Sequence, residues 1–238
     1  MSDDAQTAYP QSPIREAQLP TSVHSTLSYR LFRPHVHLIL RVVMRALAPN
    51  TTVTGRHHIP RRGAVIFTPN HLSDIDSSIV SAAILRPLWW MAKRELFSMR
   101  VVGPVISWWQ TFPVDRDSPD RAALRYAEQL LRHGHALNIF PEGRIAPTGE
   151  MGPVLPGVAL LALRTKVPVI PVGLSGTPDI LPFGQLVPRP TLAPVHVHFG
   201  APLDLTDVMA LPRNAQREAA TRRLEEGIRR AVGVARGE

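Results

Sequence analysis

The chain has 238 residues, 44% hydrophobic and 19% charged, enough for one sizeable buried core. It contains no cysteine, which excludes disulfides, thiolate catalysis and cysteine-based metal sites. The formal net charge is +8, carried almost wholly by arginine, with Lys93 and Lys166 the lysines, and this balance suits polyanionic partners: phosphorylated small molecules, anionic lipid or nucleic acid.

Residues 1–26 are polar and bear proline, and they lack the basic and apolar regions of a signal peptide. They read as a disordered tail, with a cytoplasmic face as the default location. Residues 27–49 read as an amphipathic helix. Leu31, Phe32, Val36, Leu38, Ile39, Val42, Val43 and Leu47 recur at roughly helical spacing, beside Arg30, Arg33, Arg41 and Arg45, and Pro34 starts or kinks the helix. Arg41 and Arg45 interrupt the ~20 uncharged residues that a spanning helix needs. An apolar face beside an arginine-rich one is the pattern of a helix lying in a membrane interface; packing of the same helix on its own domain is the alternative.

Residues 50–238 alternate. Short apolar runs at 64–67, 88–92, 136–140, 167–174 and 195–199 read as strands buried on both faces. Helical patterns fall at 74–86, 100–109, 118–133, 155–165 and 213–232. The expected fold is a single α/β domain with a mixed, largely buried sheet flanked by helices, preceded by the amphipathic helix. The stretch from Thr177 to Pro194, rich in proline and glycine, is expected to wrap the surface as a long loop.

Chemistry-bearing residues gather where strands end. "NHLSDID" (70–76) places His71 and Asp76 across a strand-to-helix turn, with Ser73 or Asp74 free to cap the helix. A turn there can fold Asp76 back onto the imidazole, fixing its tautomer and leaving the other ring nitrogen as an acceptor. Taken alone, such a pair often does no more than satisfy itself. "FPEGR" (140–144) reads as a tight turn: Gly143 allows close backbone approach, Arg144 offers a fork for phosphate, and Glu142 can hold that arginine or the substrate. "FPVDRD" (112–117) puts Arg116 just after a short strand, and "VPVIPVGLSG" (167–176) reads as a pocket wall.

In this order the four blocks resemble those of the glycerolipid acyltransferase family. "NHLSDID" is similar to its NHx4D motif, "KRELF…G…FPVDR" to its second block, "FPEGR" to its third and "VPVIPVGLSG" to its fourth. The resemblance implies that His71 is the general base on a glycerol hydroxyl, with Asp76 orienting it. It implies an acyl thioester as co-substrate, acyl-CoA or acyl-carrier protein, with no cofactor and no covalent acyl-enzyme. Asn70, Lys93, Arg116, Glu142, Gly143 and Arg144 are then the substrate-binding residues. The arginines and Lys93 would grip the acceptor's phosphate, Glu142 would support that grip, and backbone N–H groups near Gly143 would hold the developing oxyanion. The leading acceptor is 1-acylglycerol-3-phosphate. The third block is commonly FPEGTR, and its shortened form here resembles branches that act on other lysophospholipids, such as 2-acylglycerophosphoethanolamine. The implied location is peripheral or monotopic, on an anionic membrane surface.

The remaining features carry plainer readings. The pairs His35/His37, His133/His135 and His196/His198 have no ligand cluster beside them, so no metal is expected. Trp89, Trp90, Trp108 and Trp109 read as core, or as an interfacial belt. A non-catalytic basic membrane-binding module is the alternative of another class, and nucleic acid is not expected, since no basic–aromatic strip occurs.

Overall fold

The computed structural model describes residues 27–115, 120–146 and 149–238. The expected tail at 1–26, the side chain of Arg30 and the whole of Arg116 lie outside the described residues.

Helix α1 (Leu27–Leu47) leads to strand β1 (Thr51–Thr54) and then β2 (Val65–Pro69). Helix α2 (Asp76–Ala83), β3 (Trp89–Lys93), α3 (Val102–Trp108) and β4 (Thr111–Val114) follow. Next come α4 (Arg121–Arg132), β5 (Ala136–Asn138), α5 (Gly157–Thr165) and β6 (Val169–Ser175). The last elements are β7 (Val195–Phe199), the single turn α6 (Thr206–Met209) and α7 (Arg213–Arg236).

The seven strands form one sheet in the order β1-β7-β6-β2-β5-β3-β4. Every pairing is parallel except β6 with β7, so the sheet is mixed, as the alternation predicts. The register sets Phe67 of β2 beside Asn138 of β5 and Ile170 of β6. Because β2, β3, β4, β5 and β6 are mutually parallel, their carboxyl ends share one edge, where α/β sheets place their ligands.

The strands read as continuous apolar runs because helices cover both faces. On one face Ile66, Leu137 and Val169 pack with Leu130, Leu161, Leu224 and Ile228 from α4, α5 and α7. On the other, Val65, Phe67, Trp90 and Ile170 pack with Ile79 and Val80 of α2 and Met44 of α1. Trp89 and Trp90 thus belong to opposite cores, whereas Trp108 and Trp109 are half-buried. Gly173 of β6 is where α7 comes closest: a Cβ there would collide with the carbonyl of Ala231, so only glycine lets the helix lie this near the strand.

Helix α1 runs unbroken through Pro34, which neither starts nor ends it. Its inner side, Tyr29, His37 and Met44, is buried on the domain, and Ala48 just beyond is fully buried. Leu31, Phe32, Val36, Leu38, Ile39, Val42 and Val43 are all exposed. One side of the helix therefore packs on the domain, and a wide apolar stripe is left bare.

Candidate active site

Strand β2 ends at Pro69, and the next two residues, Asn70 and His71, are buried. The Asn70 amide donates to the carbonyl oxygen of Leu174 at 3.1 Å and accepts from its N–H at 2.7 Å. Both ends of that side chain are thus engaged with β6. Asn70, expected among the substrate-binding residues, clips the end of β2 to its neighbour and fixes where the following imidazole begins.

The imidazole meets the carboxylate that its spacing suggested. His71 Nδ1 lies 2.9 Å from Asp76 Oδ2. The same oxygen accepts from the N–H groups of Leu72 at 2.7 Å and Ser73 at 2.9 Å. With the carboxylate oxygen as the acceptor of all three contacts, the proton of this one sits on Nδ1, which leaves Nε2 as the acceptor nitrogen. Nε2 has no hydrogen-bond partner among the described residues. Asp76 itself stands at the first position of α2, where the helix dipole also favours negative charge. The expected cap by Ser73 or Asp74 takes another form. Ser73 Oγ accepts from Ile75 N at 3.3 Å and donates to the Leu181 carbonyl at 2.5 Å, while Asp74 is exposed.

The third block closes over this pair. Strand β5 stops at Asn138, two residues earlier than the apolar run suggests, because the chain turns at Pro141. Phe140 then lies flat on the His71 ring, with centroids 3.9 Å apart and planes 15° from parallel. Glu142 is buried, and its carboxylate accepts from His71 N at 2.8 Å and from Gly152 N at 2.7 Å. Burial pushes its pKa above the usual carboxylate value, against the pull of those two N–H donors. Glu142, expected to support Arg144, turns its oxygens to backbone N–H groups, with its side chain pointing inward and that of Arg144 exposed. Gly143 adopts φ +72°, and a Cβ on it would press within 2.9 Å of Leu155 Cδ1. The turn is tied to the first block once more by Ala146 N, which donates to the His71 carbonyl at 3.2 Å.

The basic residues lie further out. Arg144 is exposed. Lys93, at the carboxyl end of β3, forms an exposed pair with Glu95 at 3.5 Å. Its register partner is Val114, so the chain leading to Arg116 leaves the sheet from the same edge. His198, half of an expected non-metal pair, bonds Thr54 Oγ1 through Nδ1 at 2.8 Å.

Two participants escaped the sequence reading. Phe140 looked like the last residue of a strand, and Ser73 like a cap. A polar residue inside an apolar strand was the signal for a third feature: Asn138, beside Trp90 and Phe67, is buried with neither amide atom bonded among the described residues.

Comparison with known proteins places this arrangement. A family model described as Acyltransferase matches residues 50–175, a span that holds the first three blocks and all of the fourth but its last residue. The 1-acyl-sn-glycerol-3-phosphate acyltransferase of Bacillus subtilis (strain 168) is 26% identical over 194 residues, covering 80% of this chain and 92% of that protein. A protein of the same name from Streptococcus pneumoniae is 33% identical over 119 residues, 50% of this chain and 41% of the other. The crystal structure of PlsC, the 1-acyl-sn-glycerophosphate (LPA) acyltransferase of Thermotoga maritima, superposes with a TM-score of 0.69 at 22% identity, covering 91% of this chain and 86% of that one, a likeness of fold. The chain belongs to the acyltransferase family and is an acyltransferase enzyme, not a non-catalytic basic module.

Proposed function

We propose that this enzyme transfers a fatty acyl group from a thioester donor, acyl-CoA or acyl-carrier protein, to the free hydroxyl of 1-acylglycerol-3-phosphate, giving phosphatidic acid in phospholipid biosynthesis. The observation that carries the mechanism is the His71–Asp76 pair, with Nδ1 held at 2.9 Å and Nε2 open. Nε2 takes the proton of the acceptor hydroxyl as its oxygen attacks the thioester carbonyl. The tetrahedral intermediate collapses with loss of the thiolate, which recovers the proton from the imidazolium. Asp76 stabilises the imidazolium between the two steps. General-base assistance of this kind is worth ~10²–10⁴-fold.

Asn70 and Glu142 act on position rather than on substrate: each holds a backbone group that sets where the imidazole stands. Arg144, with Lys93 and Arg116, supplies cationic donors for the acceptor's phosphate, and the N–H groups around Gly143 face the developing oxyanion. The names of the relatives support the choice of acceptor. The shortened third block favours a lysophospholipid with a head group, such as 2-acylglycerophosphoethanolamine, as the second reading.

No helix among the described residues is long and apolar enough to cross a membrane. The bare apolar stripe of α1, flanked by Arg41 and Arg45, supports peripheral docking on an anionic membrane surface, where acceptor and product both reside. The test is acyl transfer from acyl-CoA to 1-acylglycerol-3-phosphate in detergent, beside a folded His71→Ala protein and a panel of lysophospholipids. Turnover of the phosphate acceptor that vanishes in the variant supports the reading; wild-type turnover in the variant overturns it.

A further inference from the structure

We propose that the loop 182–192 is a second membrane-entering element, which brings the bilayer surface to the mouth of the active site. The proposal rests on the acyltransferase reading above. After Leu181 the chain leaves the core and presents Phe183, Leu186, Val187 and Leu192 to solvent, with Leu186 94% and Leu192 78% exposed. Four large apolar side chains in one short loop, bare on a folded domain, mark an interaction surface.

Three observations identify the occupant as an anionic bilayer. First, the loop adjoins the bare helix: Thr191 N donates to the Leu47 carbonyl at 2.8 Å, and Asn50 Nδ2 donates to the Leu192 carbonyl at 2.7 Å. The other end of that helix is fastened to α3 and the residues just after it, where Tyr29 packs on Trp108 and bonds Gln110 Oε1 at 2.6 Å; Val105 of α3 and Val101 just before it are again exposed. The loop, the helix and α3 are thus linked elements, each carrying exposed apolar side chains. Second, the charge has one sign. The chain carries 19 acidic residues, yet none falls in 27–47, 96–114 or 180–194, whereas Arg33, Arg41, Arg45, Arg100 and Arg189 do. Such a distribution complements anionic headgroups and is unsuited to a basic partner. Third, the loop is joined to the catalytic turn. Ser73, two residues from His71, donates through Oγ to the Leu181 carbonyl at 2.5 Å, and Arg189 N closes the loop onto the Ile180 carbonyl at 2.8 Å. A lipid surface that receives the loop therefore lies beside the imidazole, and an acceptor can reach it without leaving the bilayer.

The experiment compares the full chain with the double variant Leu186→Asp/Val187→Asp. Both side chains are exposed, so the fold should tolerate the change. Val234→Asp, on the exposed side of α7 across the sheet, is the control. With vesicles of equal parts phosphatidylglycerol and phosphatidylcholine, the double variant should sediment with an affinity reduced by about tenfold or more, and the control should match wild type. Transfer to an acceptor embedded in those vesicles should fall in parallel, while transfer to a short-chain, water-soluble 1-acylglycerol-3-phosphate should not. Unchanged vesicle binding overturns the proposal, as does equal loss with both acceptors, which would make the loop a structural support of the site. Equal binding of wild type to pure phosphatidylcholine overturns the charge argument. A wild-type dimer that the double variant splits, with vesicle binding unaltered, assigns the patch to a second copy and also overturns it. The sedimentation measurement needs no turnover, so it separates failure of this proposal from failure of the acceptor assignment.

Discussion

The ring of Phe140 lies on the imidazole of His71 at 3.9 Å, and Asp76 holds the edge of that imidazole at 2.9 Å. Between them they fix the plane of the ring and its rotation in that plane. Phe140→Leu keeps an apolar neighbour but gives up the flat contact, so we expect kcat to fall while KM for the acyl donor stays near wild type. An effect on both in proportion would assign Phe140 to donor binding.

Asp76→Asn should fold. Its amide oxygen can take over the N–H groups of Leu72 and Ser73, and the amide nitrogen then occupies the place of Oδ1, which has no partner among the described residues. What is lost is the charge that stabilises an imidazolium, and activity should drop ~10²–10⁴-fold. Circular dichroism and thermal unfolding beside the assay check the first half; retained turnover would sink the second.

Arg144→Ala removes an exposed guanidinium and should leave stability unchanged. If it meets the acceptor's phosphate, the lost charge-assisted contact costs ~1.5–3 kcal/mol, roughly tenfold to a hundredfold in apparent KM for the acceptor. The donor KM is the internal control, and equal changes in both would point away from the phosphate.

Asn70→Ala leaves the buried N–H and C=O of Leu174 without their side-chain partner, which costs ~1–3 kcal/mol. For a chain of this size that amounts to a fall of several degrees in Tm, about 2–4 °C per kcal/mol. A variant with wild-type Tm and no activity would restore Asn70 to the substrate.

Stability should also decline as the pH is lowered past 6.5. Burial depresses the pKa of His37, with Arg33 and Arg41 adding to the shift, and burial likewise lowers His135 and His198. Above 6.5 folded and unfolded chains are both neutral at these sites and nothing is gained or lost. Below it the unfolded chain binds the proton first, so each further step toward acid favours unfolding until the folded pKa is passed. His37→Phe retains a ring against Trp109 and should flatten part of this slope, read from denaturant midpoints across that range.

Much of the fold was legible because its strands are buried on both faces and announce themselves as apolar runs. Strand β1, with the sequence TTVT, was not, since it lies half-exposed at the sheet's edge and Val53 is its one apolar residue. The four-residue α6 is too short to show a period. At the site, the His71–Asp76 contact could be read because five residues of turn suffice to make it. The partners of Asn70 and Glu142 could not: all are backbone groups, which carry no sequence signature, and Leu174 lies 104 residues from Asn70. The local reading offered Glu142 its nearest cation, Arg144, or the substrate, because backbone partners leave no trace in the sequence. Met44 of the helix at 27–47 and Ala48 just beyond it belong to the core, so a protein beginning at Pro49 would lose packing as well as any membrane contact. Replacing Leu38, Ile39, Val42 and Val43 by serine tests the bare stripe alone.

The pairing of β1 with β7 reaches across nearly the whole domain: Thr54 Oγ1 bonds His198 over 144 residues of chain. A sheet whose first strand waits for its last has no amino-terminal portion that can close by itself. During synthesis α1 emerges with its apolar side bare long before Leu174 exists to receive Asn70. The imidazole therefore gains its anchorage late, and folding of this domain is governed by distant contacts, the class that forms slowly.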